Sequence, residues 1–529
     1  MAVLLSACSQ SGVEGTAEKS SSSGTVSGSS ASSEEVVAET VEDVASVSDA
    51  AAEILQKEQF TERDLSGEIS EDAINISLKD SGTEISGTAD ASSEYVKVDG
   101  STVTIRKEGT YLISGTLSDG MLIVDAGEKE KVQLVLKGAD IHSNTSAALY
   151  VKQADKVFVT LSDGGENTLS SGDSYVAIDE NNIDGAVFSK DDITFNGSGS
   201  LSVEAPAGHG IVSKDDLKFT GGTYQISAGK HGAVANDSIR VAEGTLTITS
   251  EEKDGFHSKG YLYIHGGTFD VTAADDGMHA DGNFLVDDGK VQITKSYEGL
   301  EGQTITIAGG KISVTSSDDG LNAAGGNDSS GMDGKDDWRG GGGSFAQEDA
   351  IITIAGGVLE VDAEGDGIDS NGYFYMNGGT VYVAGPTGRG NGALSSGVEA
   401  VAHGGTLIAA GTDDMAENFS ENSTQGSILF SVSGQAAGST IELLTSDGKS
   451  LVSWEAKKSY SSVVISTPDI AKGQTYTVRA GNAEEEVTME NLIYGEGNNF
   501  GHGGGGRGFG RDGKGFGRGR RFEDDRGDL

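Results

Sequence analysis

Cysteine is all but missing from this chain. Cys8 is the single one, so no disulfide framework can staple the fold. Long apolar runs are missing too: no stretch reaches the roughly 18 residues that a membrane-spanning helix needs. Positive charge is scarce, with 37 Lys and Arg against 83 Asp and Glu and a formal net charge of −46. Nucleic-acid binding relies on Lys and Arg to neutralise phosphates, so such a partner is not expected. Aromatic residues make up 6% of the chain, few for a surface that would stack on neutral sugars.

What the chain does have is glycine, 81 of them, and a repeat. From about Asp184 to about Thr412 each unit opens with a polar residue and Gly: Asp184-Gly185, His209-Gly210, His231-Gly232, Asp254-Gly255, Asp276-Gly277, Glu298-Gly299, Asp319-Gly320, Asp366-Gly367 and Asn391-Gly392. Between Gly210 and Gly320 these glycines recur every 21–23 residues. An apolar residue follows (Ile211, Phe256, Met278, Leu300, Leu321, Ile368), with a small one two places on (Ser213, Ser258, Ala280, Gly302, Ala323, Ser370). Two further strands alternate in turn, as in Leu262/Ile264 and Phe269/Val271, separated by Gly-rich turns such as Gly266-Gly267 and Gly309-Gly310. Period-two alternation marks strands. Three short strands in about 22 residues make one coil of an all-β parallel β-helix, a solenoid in which each coil buries its core against its neighbours. Helical repeats and propeller blades need longer periods.

Stacked coils lie about 4.8 Å apart, so a repeat position becomes a line of side chains. The opening position gives Asp254, Asp276, Glu298, Asp319 and Asp366, with Asp275 and Asp318 just before. Two places after each Gly stand His257, His279, Glu301, Asn322 and Asp369, and two further on Lys259 and Asp281. Carboxylates stacked this closely raise one another's pKa and persist as anions mainly with a cation between them. All-oxygen sets suit Ca2+. The sets expected are Asp254/Asp275/Asp276/Asp281, Glu298/Glu301/Asp318/Asp319 and Asp366/Asp369. His257 and His279 raise zinc as a competitor, although zinc wants a compact set of about four N or S ligands. Asp-Gly as simple turn chemistry is the plainer account of any single pair.

The flanks differ in composition. Residues 9–72 are rich in Ser, Ala, Glu and Gly and are expected to be a disordered tether. Residues 73–424 hold the β-helix, interrupted at 325–344 by a Gly- and Asp-rich stretch expected to be a flexible surface insertion. Residues 425–494 leave the repeat and suggest a small β module capping the exposed strand edges. Residues 495–529 form a Gly/Arg-rich tail expected to be disordered. At the other end, Leu5-Ser6-Ala7-Cys8 resembles a bacterial lipobox within residues 1–8, which implies lipidation of Cys8 and an exported, membrane-anchored lipoprotein at the cell surface. A basic region and a full apolar run before it are lacking.

The repeated Asp-Gly openings, Ser189-Lys190-Asp191-Asp192, Ser213-Lys214-Asp215-Asp216, Asp366-Gly367-Ile368-Asp369-Ser370 and the run from Gly378 through Gly385-Pro386-Thr387 to Leu394 resemble bacterial carbohydrate-binding proteins with a right-handed parallel β-helix similar to pectate lyases. The resemblance covers roughly 73–494. It implies Ca2+ on the helix surface and binding, rather than cleavage, of a polygalacturonate-like or cellulose-like polysaccharide. Tyr373, Tyr375, His257 and His279 are candidate sugar contacts, and a monomer is expected. Two other functions stay open. A polysaccharide lyase needs calcium and a base, for which Lys259 and then Lys214 are best placed. A non-catalytic spacer or adhesin needs the acids only for folding.

Overall fold

The computed structural model describes residues 51–57, 59–87, 94–324 and 347–497. Those residues form a parallel β-solenoid of about 12 turns, built from three columns of strands. The first column runs through Thr102–Ile105, Met121–Asp125, Leu149–Gln153, Gly185–Ser189, His209–Ser213, Ala233–Ala235 and Phe256–Ser258 to Ile368–Ser370 and Leu394–Ser396, every neighbour parallel. The second carries Tyr261–Ile264 and its equivalents, the third Thr268–Thr272 and its equivalents.

The alternation read from the sequence is the core. Phe256, Leu262, Ile264 and Val271 are wholly buried, as are Met278, Leu300, Ile305, Ile307, Ile312, Leu321 and Ile368. Equivalent residues pair coil to coil, with Phe256 opposite Met278 and Met278 opposite Leu300. The small residue two places on turns the corner inside the wall. Ser258 donates to the Tyr261 carbonyl at 2.9 Å and Ser370 to that of Tyr373 at 3.0 Å, satisfying buried carbonyls. At the next corner Gly289 and Gly310 take φ of 108° and 81°, a region open to glycine at little cost.

Both ends of the repeat slip by one residue. Gly185 pairs with His209 rather than with Gly210, and Ile368 pairs with Leu394, which puts Gly367 opposite Ala393. Asp184 and Asn391 therefore stand outside the column that their Asp-Gly and Asn-Gly pairs suggest. The register that carries the regular column runs from His209 to Asp366.

The expected tether ends earlier than residue 72. Residues 51–57 and 59–72 lie against the outer face of the second column. Ile54 packs with Tyr263 and Leu285, and Tyr261 donates to the Gln59 side chain at 3.1 Å. A single helical turn, Glu62–Leu65, is capped by Thr61 in a reciprocal capping box with Asp64. Asp64 is fully buried and accepts from Lys156 at 2.7 Å, Thr194 at 2.7 Å and Lys218 at 3.4 Å. Asn196 binds the Asp64 and Ser66 carbonyls, tying down the backbone on either side. Composition alone hid this, because every partner is distant in sequence. Residues 9–50 of the tether, Cys8, the insertion at 325–344 and all but the first three residues of the tail lie outside the described residues.

At the far end Phe419 packs on Phe374, their rings 5.7 Å apart, and closes the core. Strand Tyr460–Ser466 pairs antiparallel with Glu399–Gly411, and strand Ser427–Gln435 continues that sheet. A separate four-stranded antiparallel sheet built from Thr440–Thr445, Ser450–Glu455, Thr475–Ala480 and Ala483–Thr488 shares a second core with it.

Asp64 supplies a direct test of the docked segment. Burial pushes its carboxyl pKa up, but the Lys156 hydrogen bond, the Thr61 backbone N–H and the charges of Lys156 and Lys218 outweigh it and hold the group far below the usual range. A depressed folded-state pKa stabilises the fold above the unfolded value of about 3.9, and the contribution is lost as pH falls through the folded value. Asp64→Asn strands two buried lysines and is expected to cost about 3–5 kcal/mol at pH 7. The gap between wild type and variant should narrow as pH falls below about 4. Denaturant melts at pH 7 and pH 3 check both points, and equal midpoints at pH 7 would refute the docking.

Candidate functional site

The polar column sits where the chain enters the first strand of each coil. Its glycines explain why the polar residue is always followed by the smallest one. A Cβ on Gly277 would lie 2.6 Å from Ile293 Cδ1 and 2.7 Å from the Gly299 carbonyl, and one on Gly255 2.4 Å from Val271 Cγ1. These glycines permit close coil-to-coil approach, whereas the left-handed glycines lie at a different corner. Asp-Gly is therefore a packing motif here rather than a turn.

The preceding carboxylate also has backbone work. Asp254 Oδ1 accepts from the N–H of Asp276 at 3.2 Å, Asp276 Oδ1 from that of Glu298 at 3.3 Å, and Asp319 Oδ1 from that of Asp366 at 2.6 Å. Asp366 accepts in the same way from Gly392 N–H. One oxygen per residue caps the next coil, and the other turns toward the neighbouring column.

Along the ladder the chemistry changes. At the early end four imidazoles form a file: His209 on His231 at 5.1 Å, His231 on His257 at 4.8 Å and His257 on His279 at 4.7 Å between ring centroids. His231 and His257 flank Asp254, with Nδ1 atoms 3.2 and 2.8 Å from its Oδ2. Burial pushes the Asp254 carboxyl up, but hydrogen bonds from these two rings more than reverse that. His209, farther from any acid, is pushed down to about 3 by burial and by the neighbouring His231 charge. His279 meets Asp276 at 3.1 Å and Glu301 at 2.5 Å through Nδ1. Burial lowers its pKa, but the facing carboxylates of Asp276, Asp281 and Glu301 raise it overall.

Farther along, acids group with acids. Asp276, Glu298 and Glu301 are all buried, each offering an oxygen within a common radius of 4.8 Å, and Asp319, Asp366 and Asp369 form a second such group. Glu301 Oε1 is buried with no hydrogen-bond partner. Burial and Asp276 push Glu301 up to about 8, against the pull of His279. Burial, then Asp369, Asp366 and Asp318, push Asp319 up to about 9. Burial and Asp369 raise Asp366 to about 7, and Glu417 beside them also reaches about 7 through burial and Asp369. Such shifts follow from burial and from repulsion between neighbouring carboxylates.

The acids expected from the sequence thus lie along one surface but in different company. Asp281 joins His257 and His279 rather than Asp254/Asp275/Asp276. Asp275 turns toward Lys253 at 3.7 Å, and burial followed by repulsion from Asp276 and Asp254 raises it to about 6. Glu298 and Glu301 group with Asp276, and Asp319 groups with Asp366 and Asp369 across the insertion, while Asp318 contributes charge from the side. Lys259 is exposed; burial raises the Asp281 pKa, but His279, His257 and, less, the Lys259 charge lower it overall. Lys214 lies over the Phe188 ring at 5.1 Å. Tyr373 and Tyr375 stack on each other at 5.7 Å on a second-column strand, a different wall from the ladder. The sequence reading missed Glu417, which lies beyond the repeat, and the continuity of the histidine file, because two of its members occupy the opening position and two the neighbouring one.

Residues 99–336 match the family of carbohydrate-binding domain-containing proteins. That stretch holds the histidine file and the ladder through Asp319. A carbohydrate-binding domain-containing protein of Acetivibrio thermocellus is 41% identical over 128 residues, which is 24% of this chain and 45% of the relative. The chain thus spans less than half the length of that relative. A polysaccharide lyase-like protein from C. thermocellum, solved as a gadolinium derivative, aligns at 30% identity over 45% of this chain and 93% of its own, with a TM-score of 0.37.

The close approach at the opening glycines is testable. Gly277→Ala forces a Cβ against backbone as well as a side-chain tip, and overpacking of this kind costs about 1–3 kcal/mol. A thermal melt of the variant is expected to show that loss. An unchanged midpoint would return Asp-Gly to turn chemistry.

Proposed function

We propose that this protein is a non-catalytic, calcium-dependent binder of polysaccharide, with an acidic polymer such as polygalacturonate as its ligand. The family matched by residues 99–336 and the name of the Acetivibrio relative support carbohydrate binding. The observation that carries the calcium reading is the Asp319/Asp366/Asp369 group, three carboxylates within 4.8 Å of one another with two of them pushed toward neutrality by burial and mutual repulsion. Calcium takes six to eight oxygens in flexible geometry. After the backbone caps are counted, Asp319 and Asp366 each keep a second oxygen for an ion, and Asp276, Glu298 and Glu301 repeat the arrangement two coils earlier. An ion held there keeps positions for water or for a sugar carboxylate. Without it, a chain of net charge −46 repels an acidic polymer. Several such ions in line would bind a polymer multivalently.

In this reading Lys259 is the charge partner of Asp281 and not a lyase base. Anchoring at a bacterial surface through Cys8 completes the proposal, and loss of membrane association in Cys8→Ser tests it.

Calcium bound to the folded chain alone raises its melting temperature in proportion to the logarithm of free calcium. We expect a higher midpoint in millimolar calcium than in chelator, and a shift reduced by at least half in Asp319→Asn. Polygalacturonate should be retained in calcium and released by chelator, with no ultraviolet-absorbing unsaturated product. A midpoint indifferent to calcium removes the ion from the ladder. Retention of cellulose in both conditions, with polygalacturonate in neither, moves the sugar site elsewhere, to the wall of Tyr373 and Tyr375.

A further inference from the structure

The histidine end of the ladder presents different ligand chemistry from the carboxylate end. His257 and His279 occupy equivalent positions on adjacent coils, directly paired in register. Each directs Nδ1 into a carboxylate: His257 to Asp254 at 2.8 Å, His279 to Asp276 at 3.1 Å and to Glu301 at 2.5 Å. These are hydrogen-bond lengths. A carboxylate accepts, so each Nδ1 carries a proton, and a metal ion that displaces the Nε2 proton would find a lone pair there. Both Nε2 atoms face the same oxygen, Asp281 Oδ1, at 3.5 and 3.3 Å. His279 Nε2 is buried and makes no hydrogen bond.

That arrangement brings two ring nitrogens and a carboxylate oxygen together. As hydrogen bonds the Nε2 contacts are long. As edges of a coordination tetrahedron they fit, because bonds of about 2.0–2.1 Å set ligand atoms about 3.3–3.4 Å apart. The supporting carboxylates complete the pattern, since a histidine that ligates a metal almost always donates its other ring N–H to a carboxylate, a carbonyl or water.

We propose that His257 Nε2, His279 Nε2 and Asp281 bind a zinc-class divalent ion, with Asp254, Asp276 and Glu301 as positioning residues that fix the two rings. Asp281 is one-third exposed and the rings only slightly so, which opens the fourth position toward solvent and the surface where a ligand would pass. Two imidazoles and one carboxylate are borderline ligands that favour zinc over calcium, whereas the Asp319/Asp366/Asp369 group is all oxygen and favours calcium. The ladder thus carries two kinds of ion, sorted by coil. This site does not depend on the calcium reading.

The test uses the untagged full chain, stripped with chelator and dialysed. Zinc is titrated by calorimetry in excess calcium, and Co2+ is added separately as a spectroscopic probe. We expect a saturable zinc site that calcium does not displace and a visible Co2+ spectrum of tetrahedral intensity. Asp281→Asn and His257→Gln should each weaken zinc at least tenfold. Asp254→Asn, which touches the ion only through the ring, should weaken it about 10–100-fold. Asp319→Asn should leave zinc unchanged while diminishing the calcium-dependent melting shift, which separates failure of one site from failure of the other. Circular dichroism confirms that Asp281→Asn, a partly exposed position, still folds. No zinc uptake, competition by calcium at equal concentration, or affinity unchanged in both Asp281→Asn and His257→Gln would overturn the proposal.

Discussion

The separation of successive coils, about 4.8 Å, governs the rest of this structure. It comes from backbone hydrogen bonding between parallel strands and does not adjust to whatever side chains it aligns. It leaves no space for a Cβ at Gly255 or Gly277, so the residue after each opening carboxylate is glycine. It also sets ionisable groups in file at a distance they would not choose in water. Asp319 and Asp366 lie beside other carboxylates, and burial denies them the solvent that would screen their repulsion. The scaffold bears the unfavourable local charge because dozens of buried apolar residues, from Ile76 to Leu407, hold the coils together independently of the ladder.

Much of this was legible in the residues. Alternation such as Phe269/Val271 and Ile312/Val314 reports an inward-facing pair directly, since the strand period and the wall geometry are the same fact. The column positions followed from the period. What the period could not show is where a side chain turns once it leaves the wall. Asp281 was grouped with acids, yet its oxygen faces two imidazoles. Glu298 and Asp319 were grouped by adjacency in the column, yet Glu298 accepts from Asn322 and sits with Asp276. One-residue slips at Gly185 and Gly392 were invisible because an Asp-Gly or Asn-Gly pair reads the same in either register.

The segment before the solenoid shows a different kind of illegibility. Residues 51–72 are polar enough to read as a tether, and Asp64 looks like any surface acid. Its counter-charges, Lys156 and Lys218, belong to strands far along the chain and are themselves buried. Nothing local distinguishes such an Asp from a solvated one. Burying three charges is worthwhile only when every oxygen and ammonium finds a partner, and the Thr61 and Thr194 hydroxyls supply the remaining hydrogen bonds to the carboxylate. The docked segment therefore covers part of the second wall at Tyr261, Tyr263 and Leu285, away from the ladder.

Why the ladder changes from imidazole to carboxylate along its length follows from the same spacing. A pure carboxylate file accumulates charge with every coil, and only bound cations can neutralise it. Histidines at the early end supply the donor from within the protein: Asp254, between His231 and His257, is held ionised, while Asp319, beside Asp318, Asp366 and Asp369, is driven toward protonation. Among the described residues, Asp254 thus has imidazole neighbours, whereas Asp319 and Asp366 have carboxylate neighbours. A protein that needed its acids only for folding would gain by extending the histidines through Asp366. The grouping of Asp319, Asp366 and Asp369 at the late end is what supports the cation proposed above.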